Sequence, residues 1–383
     1  MRSRLLLLSA TLLLTAIALE LWAARQSPRL GVAASGEEVL STYDPSSEVH
    51  ERWTARRNRL LKRSTEPGLG TFSARYGWWN APGAVGEQRG QAVHINDVGA
   101  RTSRPLTVAP PPGARRVACY GESFTFGSEV ADEEAWPARV EARSDGTCEV
   151  WNMGVGGWGT DQALLRFRDT RDELRPDIVL LGLLSENIGR NVNRLRAAYW
   201  NGGDQPMVKP RFVLSDGGLE LLPQPYPTEL ALFEAGVNGS LGLDLAPHEG
   251  WAPLTGGWSH LMNGYRRWQI ARAHAPWHAL WADREGEACR VTLALVEAFA
   301  REAHGAGAAF GVVLFHTESD LVQGWSLAPL HPDLEQRAVP FVDTYELVLG
   351  RYQAGASTYG QSHFTPDTND DVADLVLGWL EEL

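Results

Sequence analysis

The sequence predicts a three-layer α/β/α sandwich around a mostly parallel sheet of about five strands. From about residue 105 onward, short apolar runs alternate with longer amphipathic stretches, which is typical of strands that are joined by helices. The turn signal Pro110–Gly113 precedes the first apolar run. Polar segments then follow the first three runs directly, as expected where parallel strands end at a functional edge.

Each predicted strand is a short apolar run that suits burial on both faces of a sheet. In chain order the predicted strands are Arg116–Tyr120, Cys148–Asn152, Asp177–Leu184, Ala309–Phe315 and Val339–Val342. Pro137 suits the first turn of the earliest helix. The predicted helices are Trp136–Ala142, Gln162–Glu173, Ala288–His304 and a last one that begins at about Pro366. This order predicts a flavodoxin-like sheet.

The chain divides into three predicted regions. Residues 1–24 are a signal peptide or signal anchor, residues 25–104 form a stalk and an irregular N-terminal segment, and residues 105–383 form the α/β domain. Within that domain the alternation lapses between about residues 191 and 290, which predicts a long insertion. With 383 residues and 44% hydrophobic content, the chain can bury a large core.

The N-terminal prediction depends on a basic head, Met1–Arg4, and on the leucine-rich run Leu5–Leu19. About 15 apolar residues suit a signal sequence better than a full bilayer span, which needs about 20. If Glu20 is tolerated near the interface, residues 5–24 could instead stay as an anchor. Both alternatives predict a periplasmic protein, either secreted or held at the inner membrane, with the membrane as a partner only where the segment is uncleaved.

Composition argues against several partners and sites. The formal net charge of −12 disfavours nucleic acid and anionic membrane surfaces, which need basic patches. The cysteines, Cys119, Cys148 and Cys289, have no CxxC spacing, and no HExxH occurs. We therefore predict no metal and no cofactor. Cys119 and Cys148 should lie on neighbouring strands, but parallel strands seldom suit a disulfide.

Four segments with reactive side chains or glycines fall at strand ends or at a helix start. GESFTFG follows the first predicted strand, NMGVGGWG the second and SEN the third, and SHFTP precedes the last helix. In a parallel α/β sheet, active sites lie where strands end at the carboxyl edge. A serine, glycine amides, an asparagine and a histidine are the parts of acyl transfer: a nucleophile, N–H donors for an oxyanion, and a base.

The glycine segment also permits a dinucleotide site. Gly154, Gly156 and Gly159 satisfy GxGxxG between a strand and a helix. However, this segment follows the second strand of the series, and Asp177 opens its strand where a ribose-binding acid would close one. An exported protein would also meet little NAD, so acyl transfer is the favoured interpretation.

Together the four segments resemble the SGNH/GDSL hydrolase superfamily, and the leader and insertion resemble those of an exported bacterial member. The similarity runs from about Val117 to the end of the chain, in the family's order. GESFTFG is similar to block I, NMGVGGWGTDQ to the glycine block, SENIGRN to the asparagine block and SHFTPDTND to the histidine block. The resemblance adds weight to the predicted α/β/α fold.

The resemblance also implies roles for single residues. Ser123 becomes the nucleophile and His363 the base, and the oxyanion donors become Ser123 N–H, Gly157 N–H and the Asn187 side-chain amide. Plainer alternatives remain open at this point. Ser123 and Gly157 could be turn residues, with Gly156 as the donor instead. Asn187 could only cap the segment that follows it, and His363 could be a surface residue.

Two positions depart from the family pattern. Glu122 stands where the family usually has Asp, a change of one methylene that should affect loop packing more than chemistry. The family also has an aspartate two or three residues before its histidine, where this chain has Gln361 and Gly360. Such an aspartate fixes the imidazole tautomer and stabilises the imidazolium. Asp343 could substitute, but capping the helix that follows it is the simpler role.

The prediction is therefore a Ser–His dyad with modest activity, in which Gln361 or a backbone carbonyl orients the imidazole of His363. The predicted function is a serine esterase that cleaves small acyl esters such as O-acetyl groups, on a carbohydrate of the cell envelope, through an acyl-enzyme. The predicted partners are a small acyl ester or an acylated saccharide. The alternatives are an O-acyltransferase on an envelope polysaccharide, a lipase or thioesterase, and a catalytically inactive binding or assembly protein on the same fold.

Overall fold

The computed structural model describes residues 11, 13–22, 48–63, 68–107, 109–196, 205–238 and 277–383. The chain separates into two compact units, of which one takes residues 1–65, 193–208 and 225–276. The other takes residues 66–192, 209–224 and 277–383, and contains all four of the predicted site residues. The three regions predicted from the sequence, with boundaries at residues 24 and 104, stay a prediction.

The central sheet has five parallel strands in the order β11-β10-β7-β5-β6. The strands are β1 Gly70–Ser73, β2 Gly77–Asn80, β3 Val85–Gln88, β4 Gln91–His94, β5 Arg115–Tyr120, β6 Cys148–Asn152, β7 Ile178–Leu184, β8 Arg211–Ser215, β9 Gly218–Leu222, β10 Ala309–Phe315 and β11 Phe341–Asp343. Counting only the central strands in chain order, the second is at one edge beside the first, followed by the third, fourth and fifth. This is the flavodoxin-like order, so the predicted fold class is confirmed.

Helices of the same compact unit connect these strands and cover both faces of the sheet. The named helices are α1 Glu48–Leu61, α2 Ser123–Phe126, α3 Trp136–Arg143, α4 Thr160–Leu174, α5 Asn187–Val192, α6 Glu229–Val237, α7 Trp277–Ala282, α8 Glu287–Gly305, α9 Glu318–Gln323, α10 His331–Gln336, α11 Tyr345–Gln353 and α12 Pro366–Leu380. Of these, α1 and α6 belong to the other unit. The predicted strands and helices of the α/β domain agree with these bounds to within about two residues. The structure adds the short α2 and α5 at the ends of β5 and β7, where the sequence analysis placed the chemistry.

Two hydrophobic layers hold the sheet. On one face, Trp136 of α3 and Val372 of α12 belong to the same buried cluster as Phe315 of β10. On the other face, Phe167 of α4 and Phe299 of α8 stack with ring centroids 5.0 Å apart. All seven residues of β7 are buried, as a central strand between two helical layers requires.

Strand β2 lies outside the central sheet but is tied to the glycine segment that follows β6. The indole Nε1 of Trp78 donates to the carbonyl oxygen of Gly156 over 3.0 Å, and the Asn80 amide donates to that of Gly154 over 3.0 Å. In return the Trp158 indole donates to the carbonyl oxygen of Trp78 over 2.9 Å. These bonds fix the glycine segment from a part of the chain in which the sequence predicted only irregular structure.

The predicted insertion, residues 191–290, is described only in part. Its described residues include the antiparallel hairpin of β8 and β9, together with α6 and α7. Of the predicted signal segment, residues 1–24, the structure describes residue 11 and residues 13–22, all of them helical. Among the described residues, no helix is long and apolar enough to cross a membrane. The thiols of Cys119, Cys148 and Cys289 are buried and free.

Candidate active site

The nucleophile candidate begins a one-turn helix at the carboxyl end of β5. Ser123 is the first residue of α2, and the Glu122 carboxylate caps that turn by accepting a hydrogen bond from Phe124 N–H over 2.7 Å. The turn ends at Gly127, whose φ of +81° lies in the left-handed region that favours glycine. The chain therefore leaves the sheet in a tight elbow with Ser123 at its start.

The elbow lies very close to the two neighbouring strand ends, and glycines make this approach possible. A Cβ at Gly154 would lie 2.5 Å from the Phe126 backbone nitrogen, and one at Gly182 would lie 2.0 Å from Thr125 Oγ1. A Cβ at Gly154 would therefore displace the backbone of α2, whereas one at Gly182 would displace the Thr125 side chain. The glycines after β6 and on β7 thus leave room for the turn that carries Ser123.

The imidazole of His363 packs against the same elbow from the opposite end of the chain. Its ring centroid lies 5.1 Å from that of Phe124, the residue that follows Ser123. Phe124 is fixed in turn by Phe364, at a centroid distance of 4.8 Å. Thr365 caps α12 through a hydrogen bond from Thr368 N–H, and Pro366 begins that helix, as the sequence predicts. The histidine is thus held just ahead of the last helix.

Within the described residues, Ser123 and His363 share no hydrogen bond, although the His363 ring packs on Phe124, the residue after Ser123. The Ser123 hydroxyl donates instead to Glu122 Oε2 over 3.2 Å. A rotation about one bond would turn the hydroxyl from the carboxylate toward another acceptor, and catalytic hydrogen bonds are often poorly aligned without substrate. The roles of Ser123 and His363 therefore stay predictions.

A carboxylate that the sequence analysis missed contacts the histidine. The Nδ1 atom of His363 lies 2.8 Å from Glu129 Oε1. Sequence reasoning searched the positions just before the histidine and found only Gln361 and Gly360. The carboxylate comes instead from the block I segment, two residues after Gly127. No spacing rule could have selected it, because residues far apart in the chain meet only through the fold.

The other predicted partners of the histidine have different contacts. Gln361 contributes its backbone N–H, which donates to Glu129 Oε2 over 2.6 Å. Asp343 accepts from Tyr345 N–H over 2.9 Å at the start of α11 and lies 2.8 Å from the Nε2 atoms of both His316 and His331. It therefore has the helix-capping contact that the sequence analysis favoured, and it belongs to a different cluster.

Asn187 follows β7 and begins α5 with an unusual side chain. It is 1% exposed, and neither Oδ1 nor Nδ2 has a hydrogen-bond partner among the described residues. A buried amide without partners is costly, so such groups are uncommon outside functional sites. The alternative in which this side chain caps the following segment has no hydrogen bond in its support. The amide is available as a donor.

Gly157 is buried, with a φ of +77° in the left-handed region. Its N–H belongs to the same planar peptide as the Gly156 carbonyl, which accepts the hydrogen bond from Trp78. Because a trans peptide directs these two groups to opposite sides, that hydrogen bond sets the direction of the Gly157 N–H. The glycine segment is therefore organised as a fixed turn, and the choice between Gly157 and Gly156 as oxyanion donor stays a prediction.

Burial and charge act in opposite directions on the two acids of this region. Burial raises the pKa of Glu122 to about 7, although the positive charge of Arg190 opposes the rise. Burial would also raise the pKa of Glu129, but hydrogen bonds from His363 and Ser362 and the backbone N–H of Gln361 lower it to about 2. At neutral pH, Glu129 is thus a carboxylate, whereas Glu122 is divided between its two protonation states.

The histidine is influenced by the same charges. Burial lowers the pKa of His363, and Glu129 opposes this by favouring the imidazolium. Arg190, a residue that the sequence analysis did not single out, also lowers it. Arg190 joins two of the predicted blocks, because it donates to the Trp158 carbonyl over 3.1 Å and to Glu186 over 2.6 Å. Among the described residues, no group of three or more ligating side chains could hold a metal ion.

The chain was compared with protein families, curated proteins and solved structures. No protein-family model matches the chain, and no curated protein matches it. Solved structures do match. A protein described as a lipolytic member of the G-D-S-L family from Desulfitobacterium hafniense DCB-2 is 10% identical, with a TM-score of 0.36, over 69% of this chain and 98% of its own.

Two further solved structures match the chain over a similar length. The psychrotrophic esterase EstA from Pseudoalteromonas sp. is 10% identical, with a TM-score of 0.34, over 70% of this chain and 99% of its own. A carbohydrate acetylesterase family member from Sinorhizobium meliloti is 12% identical, with a TM-score of 0.30, over 70% of this chain and 98% of its own. These similarities accompany the resemblance drawn from the four motifs, and they assign no residue and no substrate.

Proposed function

We propose that this protein is a serine esterase that cleaves small acyl esters through an acyl-enzyme on Ser123. One observation carries the proposal most directly: the Asn187 amide is buried without a partner among the described residues, at the strand end next to the elbow that bears Ser123. A hydrolase has a use for such a donor, because an oxyanion develops beside the nucleophile in the transition state. A protein that only packed these residues would leave the amide unsatisfied for no gain.

The proposed reaction uses the residues as follows. The Ser123 Oγ attacks the carbonyl carbon of the ester, and the Nε2 atom of His363 takes the hydroxyl proton. The negative charge on the former carbonyl oxygen is stabilised by Ser123 N–H, Gly157 N–H and the Asn187 amide. The C–O bond to the alcohol then breaks, and His363 returns the proton to the leaving oxygen. Water repeats the sequence on the acyl-enzyme and releases the carboxylic acid.

We further propose an O-acetyl group on an exported carbohydrate as the substrate. The support is the predicted export of the chain, since the compartment beyond the inner membrane contains acylated polysaccharides. Periplasmic localisation, with residues 5–24 as signal or anchor, is part of this proposal. The inactive binding protein considered above was suggested by the missing acid near His363, and the Glu129 carboxylate removes that reason.

The test is hydrolysis of p-nitrophenyl acetate by the full chain, beside Ser123→Ala and His363→Ala. The expected result is turnover by the parent and a fall of roughly 10³-fold or more in both variants. His304→Ala is the matched control, because His304 is exposed near the end of α8, and it should retain the parent rate. Equal background rates in the parent and both site variants would refute the esterase proposal for simple esters.

The substrate class is tested separately with a per-O-acetylated monosaccharide and with p-nitrophenyl butyrate and octanoate. The proposal predicts release of free acetate from the sugar and a decline in kcat/KM as the acyl chain lengthens. If a sugar acceptor were needed before acetate left the donor, the protein would be an acyltransferase instead. Preference for the octanoate would favour a lipase.

A further inference from the structure

The Glu129 carboxylate is surrounded by hydrogen-bond donors on the loop that follows the Ser123 elbow. Its side chain is 8% exposed and makes five kinds of contact. Oε1 lies 2.8 Å from His363 Nδ1 and accepts from the Ser362 hydroxyl over 2.9 Å. The backbone N–H groups of Gln361 and Ser362 also donate to it, over 2.6 and 3.1 Å, and Arg89 forms an ion pair with it. All four of these partners lie in the same compact unit as Glu129.

The backbone at Glu129 is in a conformation that side chains seldom adopt. Its φ is +78°, in the left-handed region, and it is neither glycine nor asparagine. Such conformations persist where the surrounding structure over-determines them, and they concentrate at functional sites. Here the turn directs the carboxylate back toward the segment ahead of α12, which a regular continuation of α2 past Gly127 would not do.

The contact with Nδ1 determines what the other ring nitrogen can do. A carboxylate that accepts from Nδ1–H holds the proton on that nitrogen, so that Nε2 carries the lone pair that a base needs. The same carboxylate stabilises the imidazolium once Nε2 has taken a proton. Arg89 and the two backbone amides keep Glu129 ionised, because each of them favours the charged carboxylate.

We propose that Glu129 is the positioning acid of the active site, taking the place of the aspartate that is missing ahead of His363. The inference rests on the proposed esterase function and replaces the Ser–His dyad of the sequence prediction by a triad of Ser123, His363 and Glu129. The nucleophile and the acid then come from one segment, and the base from the other end of the chain.

The first test measures the ester hydrolysis of the full chain with Glu129→Gln. We expect kcat to fall by roughly 10²- to 10⁴-fold, with KM changed by less than about threefold, because a positioning acid acts on the substrate only through His363. Glu87→Gln is the matched control, since the exposed side chain of Glu87 on β3 has no hydrogen bond among the described residues and the variant loses the same charge. It should keep the parent kcat.

A pH profile distinguishes a role of Glu129 in positioning His363 from a role in stabilising the fold alone. Glu129 raises the pKa of His363, while burial, Arg89 and Arg190 lower it, so removal of the carboxylate should lower this pKa further. The acidic limb of kcat/KM should therefore move to lower pH by on the order of one unit in Glu129→Gln. A large loss of kcat with an unmoved limb, or a kcat within threefold of the parent, would overturn the inference.

A second readout does not depend on catalysis. The imidazole of His363 can be titrated by NMR in full chains that carry Ser123→Ala, with and without Glu129→Gln. A lower pKa in the double variant supports the positioning role, and an unchanged pKa overturns it. If the parent hydrolyses no ester while this pKa still falls, the esterase proposal fails and the coupling of Glu129 to His363 stands.

Discussion

The indole of Trp78 on β2 holds the Gly156 carbonyl over 3.0 Å, and so fixes the peptide that carries the Gly157 N–H. The donor belongs to a strand outside the central sheet, and its partner lies at a strand end of that sheet. If Gly157 is an oxyanion donor, the accuracy of its direction depends on Trp78, which has no hydrogen bond with Ser123 or His363 among the described residues.

Trp78→Phe should therefore impair catalysis more than folding. A smaller phenyl ring replaces the indole and the N–H is lost, so we expect kcat to fall about 10-fold and the free energy of unfolding by about 1 kcal/mol. The measurements are steady-state hydrolysis of p-nitrophenyl acetate and thermal unfolding. Trp79→Phe is the control, because the half-buried Trp79 ring packs beside Arg166 and has no hydrogen bond to the glycine segment among the described residues. Equal losses in the two variants would contradict the role given to Trp78.

Asn187→Ala should lower activity strongly and stability only slightly, whereas the loss of a structural asparagine would lower stability. The variant loses a proposed oxyanion donor, so kcat should fall by roughly 10²- to 10³-fold. Because the Asn187 amide has no partner among the described residues, its removal should leave the melting temperature within a few degrees of the parent.

Asn191 on the same helix provides the comparison for that variant. Its side chain accepts from Thr160 N–H over 2.8 Å and donates to Thr292 over 2.9 Å. Asn191→Ala should therefore cost about 1–3 kcal/mol of unfolding free energy. If Asn187→Ala destabilised the protein as much as Asn191→Ala does, Asn187 would be a packing residue and its donor role would be lost.

Gly154→Ala should displace the elbow that bears Ser123. The new Cβ would lie 2.5 Å from the Phe126 nitrogen and 2.9 Å from the Thr125 carbonyl carbon, which are backbone atoms that cannot turn aside. We expect a loss of about 1–3 kcal/mol in unfolding free energy and a fall in kcat/KM of at least 10-fold. Gly156→Ala is the comparison, since a Cβ there meets nothing within 4 Å. A Gly154→Ala protein as active as the Gly156→Ala protein would mean that α2 tolerates movement.

Glu122→Gln should change how stability depends on pH. Burial raises the pKa of Glu122 to about 7, above its value in the unfolded chain, so the folded state favours the protonated acid. Stability from this group is complete below about pH 4.5 and is lost as the pH rises through about 7. The loss is at most about 3 kcal/mol, and a neutral amide avoids it.

The melting temperatures of parent and Glu122→Gln should therefore diverge by a few degrees between pH 5 and pH 8, with the variant the more stable at pH 8. The amide oxygen can still accept from Phe124 N–H, so the cap of α2 should survive. Glu87→Gln serves as the control and should run parallel to the parent. Curves for Glu122→Gln that also run parallel would mean that Glu122 is ionised throughout, held so by Arg190.

The fold could be predicted from the sequence because the patterns that indicate its strands and helices are local. Apolar runs such as Ile178–Leu184 indicate buried strands, and Pro366 after Thr365 indicates the start of a helix. The turn at Ser123 has a local signal too, since the glycines on either side of it, Gly121 and Gly127, are close together in the sequence. These features need no knowledge of what lies opposite them in space.

What the sequence did not disclose depends on contacts between distant segments. Glu129 and His363 meet only once the last helix has docked on α3, and Trp78 reaches Gly156 from a strand that the composition presented as irregular. Arg190 likewise acquires its role from the Trp158 carbonyl and the charges around it. The acid was sought beside the histidine along the chain, whereas the fold supplies one from beside the serine.

The shared segment Gly121–Glu129 has a consequence for how such a site is inherited. If the nucleophile and the acid lie within one short segment, they are inherited together. The segment ahead of α12 then has to supply only the His363 side chain and the backbone N–H groups of Gln361 and Ser362. The side chain of Gln361 is then free to drift, since its backbone N–H persists whatever side chain the residue bears. Gly360 is not, because a Cβ there would lie 2.7 Å from Glu129 Oε2. Searches that demand an aspartate just before the histidine would pass over such chains, while searches that pair a block I serine with a glutamate shortly after it would find them.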